Sequence, residues 1–281
     1  MKEQTVANPT ALYLTEADKA IATKVVDTIT QVTQVNTIFV LGKKLNTAQN
    51  IFVPPGASAA HTSAFWLLVL ITGDDKRLKM YQEAMEQNCS QYHTVSCMVM
   101  QTSSFVRELY NKNTFAATVV LNSPVIYNTN PQLQEWSKDM LEESTPPTGQ
   151  TGFQKCVTLF NEYMAGAQLF TVRKHYKLAL FMYHQATELV LTAFIKAQTG
   201  LQLRIHNIHH LNQYLSFFAP QVAAVFGGIA QKEKDTFRLL QKSYCAARYE
   251  EGFEVGYKEL EIVREKVSAL VSWLRAGIEV V

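Results

Sequence analysis

Residues 178–200, "LALFMYHQATELVLTAFIKAQTG", wound at 3.6 residues per turn, are apolar almost all the way round. A helix with so little polar surface has to be enclosed by other elements, so this stretch fixes the core of the C-terminal part of the chain. Its polar residues are few. On a helical wheel Gln185, Thr192 and Lys196 form a narrow stripe, and His184 and Glu188 fall together at its border, beside Leu180, Leu191 and Ile195. An ionised carboxylate at that place needs a partner, because burying it alone costs several kcal/mol. His209 and Arg248 are the candidates elsewhere in the chain. The flanking segments 153–172, 174–199, 207–218, 229–247 and 253–276 keep apolar residues at helical spacing. Breaks fall at Gly200, at "APQVAAVFGG" and near "ARYEEG". Long helices with short connections predict an all-α, up-and-down bundle.

The segment "EESTPPTGQTG", 142–152, gathers Pro146, Pro147, Gly149 and Gly152 among small polar residues and continues neither helix nor strand easily. It sets the expected boundary between a domain over 1–145 and the bundle over 146–281. Before it, segment types alternate. A helix is expected over 16–35, strands at "TIFVL" (37–41) and "AFWLLVLI" (64–71), and a polar helix over 75–90. A strand at "TVSCMVM" (94–100), a helix over 102–112, and the pair "FAATVVL" and "VIYN" follow. Strands separated by helices predict an α/β layer structure with a small mixed sheet, so the chain reads as α+β.

Charge and cysteine usage narrow the function classes. Residues 1–145 carry 11 basic and 13 acidic side chains, and residues 146–281 carry 15 and 11, so the bundle is mildly cationic. That suits an anionic ligand but falls short of the basic excess that would by itself mark a nucleic-acid binder. Cys89, Cys97, Cys156 and Cys245 form no CxxC pair and fit neither a disulfide framework nor a zinc site; a reducing cytoplasm is the expected location. "AFWLLVLI" is about a third of a membrane-spanning length, and no membrane partner is expected.

Three motifs in order, "YKLALFMYHQATELVLTAFIK", "HHL" at 209–211 and "LQKSYCAARY" at 240–249, resemble the HEPN domain, a nucleotide-associated helical bundle. The first is carried by Ala179, Phe181, His184, Gln185, Ala186 and Glu188, the second by His209 and Leu211, the third by Ala247, Arg248 and Tyr249. The resemblance spans residues 153–275. It implies a bundle that binds a nucleotide or RNA through His184, Glu188, His209, Arg248 and Tyr249, that forms a homodimer, and that needs no cofactor or metal. Some members of the family are metal-independent, toxin-like ribonucleases with an R-x4-6-H motif, in which an arginine holds the scissile phosphate and a histidine moves the 2′-hydroxyl proton. "RIHNIH" has that spacing, which makes Arg204 and His209 the alternative catalytic pair. It lies in the connection after Gly200, however, and not on a later long helix facing a partner, so the first reading has no catalytic residue. A plainer reading makes His184 and Glu188 a packing pair, and Arg248 with Tyr249 a tie to the loop at His209. "HNIH", 206–209, has a metal-compatible interval but no evident third ligand.

HEPN bundles frequently follow a small nucleotidyltransferase domain, and the first half resembles one. "IFVLG", 38–42, stands for the first strand and its turn glycine, with Lys43 in the place of the serine. "SAFWLLVLI", 63–71, stands for the second strand, with Ala64 and Trp66 where that family has two aspartates that hold divalent metal. "CMVMQ", 97–101, supplies no third acid, and "FAATVVLNSPVIYN", 115–128, is expected as a closing hairpin turning at Asn122, Ser123 and Pro124. The insertion over 43–62 is expected as a loop across that edge. The resemblance therefore implies an inactive transferase-like domain joined to a binding bundle, with a pure scaffold as a further alternative.

Overall fold

The computed structural model describes Leu12 and residues 14–45, 62–73, 75–130, 149–203, 205–226 and 231–279. Residues 46–61 of the insertion, 142–148 of the proline-glycine segment, and Arg204 lie outside the described residues. The chain divides into two compact units, Met1–Thr145 and Pro146–Val281.

The first unit opens with α1, Glu16–Thr30, started by a capping box: the Thr15 hydroxyl accepts the Asp18 amide, and the Thr15 amide donates to Asp18 Oδ2 at 2.9 Å. Four strands follow, β1 (Val35–Leu45), β2 (Thr62–Ile71), β3 (Thr94–Gln101) and β4 (Val125–Asn128), with helices α2 (Leu78–Cys89), α3 (Thr102–Tyr110) and α4 (Thr114–Asn122) between them. The sheet order is β3-β2-β1-β4, with β2 parallel to β3 and both pairings of β1 antiparallel, so the sheet is mixed. Every residue from Ala64 to Ile71 is buried. Alternation along β2 explains how: Phe65, Leu67, Val69 and Ile71 join one cluster with Val25 and Ile29 of α1 and Met85 and Cys89 of α2. The alternate residues face the other layer, where Phe39 meets Phe105 of α3 with ring centroids 5.8 Å apart. Helices thus cover both faces. The outer edge of β3 is met by α2, whose Glu86 accepts the Cys97 amide at 2.8 Å, and burial raises the Glu86 carboxyl to about 7.

Two expectations are corrected. Residues 115–121 are the body of helix α4 and not a hairpin strand; only β4 remains of the expected hairpin. The Asn113 side chain accepts the amides of Phe115 and Ala116, a helix start, and Ala116, Ala117 and Val119 bury at helical rather than alternating positions. The first helix stops at Thr30, because the Val35 backbone is already paired with β2.

The second unit is all helix: α5 (Gly149–Val172), α6 (Tyr176–Thr199), α7 (Ile208–Phe218), the short α8 (Pro220–Ala223), α9 (Gln231–Tyr249) and α10 (Tyr257–Glu279). α6 is the central helix and packs against α5, α7, α9 and α10. By length and composition it is apolar enough to cross a membrane, yet more than half of it is enclosed by the bundle. Leu180, Ala186, Val190, Leu191 and Ile195 are fully buried, which is where its near-continuous apolarity goes. α5 turns into α6 through Lys174, in the left-handed region at φ 59°, with the His175 amide reaching back to the Phe170 carbonyl. α6 ends at Gly200, φ 75°, where a side chain would be strained.

Candidate functional site

Residues of α6 and α9 and of the connection before α7 meet around one ring, that of Tyr244. Tyr244 lies four residues before Arg248, so the two share a face of α9. The Arg248 guanidinium carbon sits 4.5 Å from the Tyr244 ring centroid, 5.1 Å from that of Tyr249 and 5.3 Å from that of Phe181 on α6. Its Nε donates to the Tyr244 carbonyl at 2.8 Å, which holds the side chain along the helix while it stays exposed. Tyr249 is 75% exposed. On the inner side, His184 packs against Tyr244 with centroids 5.2 Å apart, and His206 lies nearly parallel to Tyr244, 5.1 Å away with 12° between the planes.

Glu188 finds its partner in His206, whose Nδ1 stands 2.8 Å from Glu188 Oε1. His184 Nδ1 is 3.9 Å from Glu188 Oε2, too long for a hydrogen bond. The wheel expectation for His184 is therefore corrected: it sits in the core with no exposed side-chain surface, because α9 closes over the border of the stripe. Two buried polar atoms in this group, His184 Nε2 and Glu188 Oε2, have no hydrogen-bond partner. Gln185 Nε2 at 3.4 Å is the neighbour of His184 Nδ1.

Of the residues singled out in the sequence, the structure brings His184, Glu188, Arg248 and Tyr249 to one end of the α6–α9 pair and leaves His209 apart. His209 starts α7, where its amide donates to Asn207 Oδ1 at 2.9 Å and to Gln241 Oε1 at 3.2 Å, and its ring neighbours Phe237 and His210. It serves as a helix-start residue there. Arg204, outside the described residues, has no geometry to compare. The site residues that sequence reading missed are Tyr244, Phe181 and His206. The four-residue step from Tyr244 to Arg248 was a usable signal; nothing in the spacing of "HNIH" pointed His206 at Glu188.

Burial lowers the His184 imidazole to about 4, helped by the nearby charges of His206 and Arg248. The folded value lies below the ordinary histidine value, so the stability tied to a neutral His184 is fully present above about 6.5 and is lost as the pH falls toward 4. We expect the bundle to lose roughly 2–4 kcal/mol over that range. His184→Gln should flatten the acid limb in urea titrations monitored by circular dichroism. An acid limb identical in wild type and variant would assign the loss to other groups.

In the first unit, Lys43 lies within β1 opposite Phe65, not in the loop expected over 43–62, because the β1–β2 pairing runs on to Leu45; it pairs with Asp18 at 2.7 Å, and both side chains are largely buried. Ala64 and Trp66 sit on β2 opposite Lys44 and Gly42 of β1, and beside Thr94 and Ser96 of β3. These side chains cannot ligate a divalent ion. Among the described residues no group of three or more His, Cys, Asp or Glu side chains is placed to hold a metal ion.

Comparison with known proteins gives one domain assignment. Residues 161–277 match the HEPN domain, so the helical unit carries a HEPN domain over most of its length. Among solved structures, a nucleotidyltransferase-like protein from Exiguobacterium sibiricum is similar over 90% of this chain and 74% of its own, at 12% identity and a TM-score of 0.27. No curated protein matches the chain.

Proposed function

We propose that the HEPN domain of this chain binds a nucleotide or RNA at the Tyr244 end of the α6–α9 pair, without turning it over, and that the sheet unit is a transferase-like scaffold lacking its metal ligands. One observation carries the reading. An exposed arginine is held over aromatic rings, and directly behind it lie a buried imidazole nitrogen and a buried carboxylate oxygen with nothing to bond. Natural cores leave few polar atoms unsatisfied, and a ligand with a planar, hydrogen-bonding ring and an anionic group would satisfy these two while meeting the arginine. The excess of cations in residues 146–281 has the same sense.

The test is calorimetric titration of the full chain with nucleoside monophosphates and short oligoribonucleotides in EDTA. Dissociation constants in the micromolar range or tighter are expected, with the RNA recovered intact. Silence across the whole set would end the binding reading and leave the scaffold. RNA cleavage that disappears in His209→Ala would replace it with the ribonuclease.

Self-association belongs to the same proposal. α5 packs chiefly on α6, and its 24 residues carry only Lys155 and Glu162 as charged side chains. Leu159, Leu169 and Val172 are 47%, 56% and 75% exposed on it. A helix face so poor in charge suits an isologous contact with the same face of a second copy. Sedimentation should show a dimer whose population falls with dilution, and Leu159→Glu with Leu169→Glu should give a folded monomer. A wild type that stays monomeric at every concentration would remove the dimer.

A further inference from the structure

We infer that the site is a guanine seat, and that His206 occupies it as a built-in stand-in for the base. This rests on the binding reading above and adds the chemical class of the ligand and a competition within the chain.

His206 is held as a nucleobase would be. It is a flat heteroaromatic ring, stacked within 12° of the Tyr244 plane, donating an N–H in that plane to a carboxylate. Those are the two contacts by which a stacked nucleobase is held: a π face on an aromatic platform and an edge N–H on an acceptor. His206 comes from the irregular connection between α6 and α7, and its side chain is 62% exposed, so no core packing fixes it there. Its fit is incomplete. The imidazole uses one oxygen of Glu188 and leaves Oε2 buried and unpaired, and one turn earlier on α6 His184 Nε2 is buried and unpaired as well.

The unfilled set selects the base. Glu188 offers two carboxylate oxygens that only accept. Gln185 Nε2, itself a donor, lies 3.4 Å from His184 Nδ1; in the tautomer that accepts from it, the ring proton is on Nε2 and that atom is a donor. Two adjacent acceptors and one donor call for a ligand edge with two adjacent N–H donors and one carbonyl. Guanine presents N1–H and the 2-amino group side by side, with O6 next to them. Adenine has one exocyclic amine beside an unprotonated ring nitrogen, which would face the carboxylate lone pairs. Cytosine has the same defect, and uracil has a single N–H between two carbonyls. Arg248 then stands on the exposed side for the phosphate.

His206 and the base compete for Tyr244 and Glu188, so the imidazole lowers the apparent affinity by the fraction of time it holds the seat. Emptying the seat strengthens binding, whereas removing a true ligand contact weakens it.

The experiment measures dissociation constants of GMP, IMP, AMP, CMP and UMP for the wild-type full chain and for His206→Ala and Glu188→Gln, with a short guanine-containing RNA and its adenine counterpart as separate arms. GMP is expected to bind at least tenfold tighter than AMP, with IMP, which lacks the 2-amino group, between them. His206→Ala should tighten GMP several-fold. Glu188→Gln should abolish the preference while weak binding through Arg248 and the rings persists. The monophosphate and RNA arms tell a free nucleotide from a base in a strand, and a guanine preference in either supports the assignment. Equal binding of all bases overturns the guanine seat but leaves the binding reading standing, and absence of all binding overturns the reading beneath it. GMP affinity that falls in His206→Ala shows His206 to be a ligand contact and overturns the stand-in.

Discussion

Lys43→Ala is expected to destabilise the first unit by about 3 kcal/mol, a large share of what a domain of this size has in reserve. The Asp18 carboxylate is almost wholly enclosed, 3% exposed, and it lies 2.7 Å from the Lys43 ammonium. Removing one member of a buried pair leaves the other charge in a poor solvent, and the Thr15 amide and the start of α1 offset part of that cost but not all of it. Lys43→Met with Asp18→Asn should recover most of the loss, because an asparagine still accepts the Thr15 amide and methionine fills the space of the lysine stem. Hydrogen exchange of the β1 and β2 amides reads this unit by itself. Unchanged protection in Lys43→Ala would show the pair to be ornamental. The same variant should leave ligand binding at the bundle intact, since the proposal gives Lys43 no part in it.

Arg248→Ala should weaken nucleotide or RNA binding between tenfold and a hundredfold. A charge-assisted contact to phosphate is worth about 1.5–3 kcal/mol, and each 1.4 kcal/mol is a factor of ten. Because the guanidinium is exposed and, among the described residues, its hydrogen bond runs along its own helix, the substitution should cost little stability; urea unfolding of the variant close to that of the wild type is the control. Arg248→Lys should recover only part of the affinity, because an ammonium does not spread across the Tyr244 and Phe181 rings as a planar guanidinium does. Full affinity in Arg248→Ala would remove the phosphate contact from this place.

How much of this was legible follows from where each constraint is encoded. The apolarity of 178–200 dictated a central helix, and α6 is that helix, because the enclosure of a segment by its neighbours is written in its own composition. Ala64 and Trp66 in a buried strand were equally plain, since a run of eight apolar residues has no solvated face. The depth of His184 was not. A wheel describes one helix at a time, and the ring that covers the stripe belongs to Tyr244, sixty residues on. The Glu188 partner escaped for a related reason: His206 reaches it from an irregular connection, whose direction no periodicity records. Residues 115–121 misled because "FAATVVL" mixes alanines with β-branched residues, and the deciding group, the Asn113 cap, lies just before the segment.

The claim on which the rest depends is that ligand recognition belongs to the bundle and not to a metal site in the sheet unit. The most direct measurement is calorimetric titration of GMP into wild type and Arg248→Ala, each with magnesium and with EDTA. The account predicts that wild-type binding is the same with and without magnesium and is lost or weakened at least tenfold in Arg248→Ala. Binding that requires magnesium and persists unchanged in Arg248→Ala would contradict it.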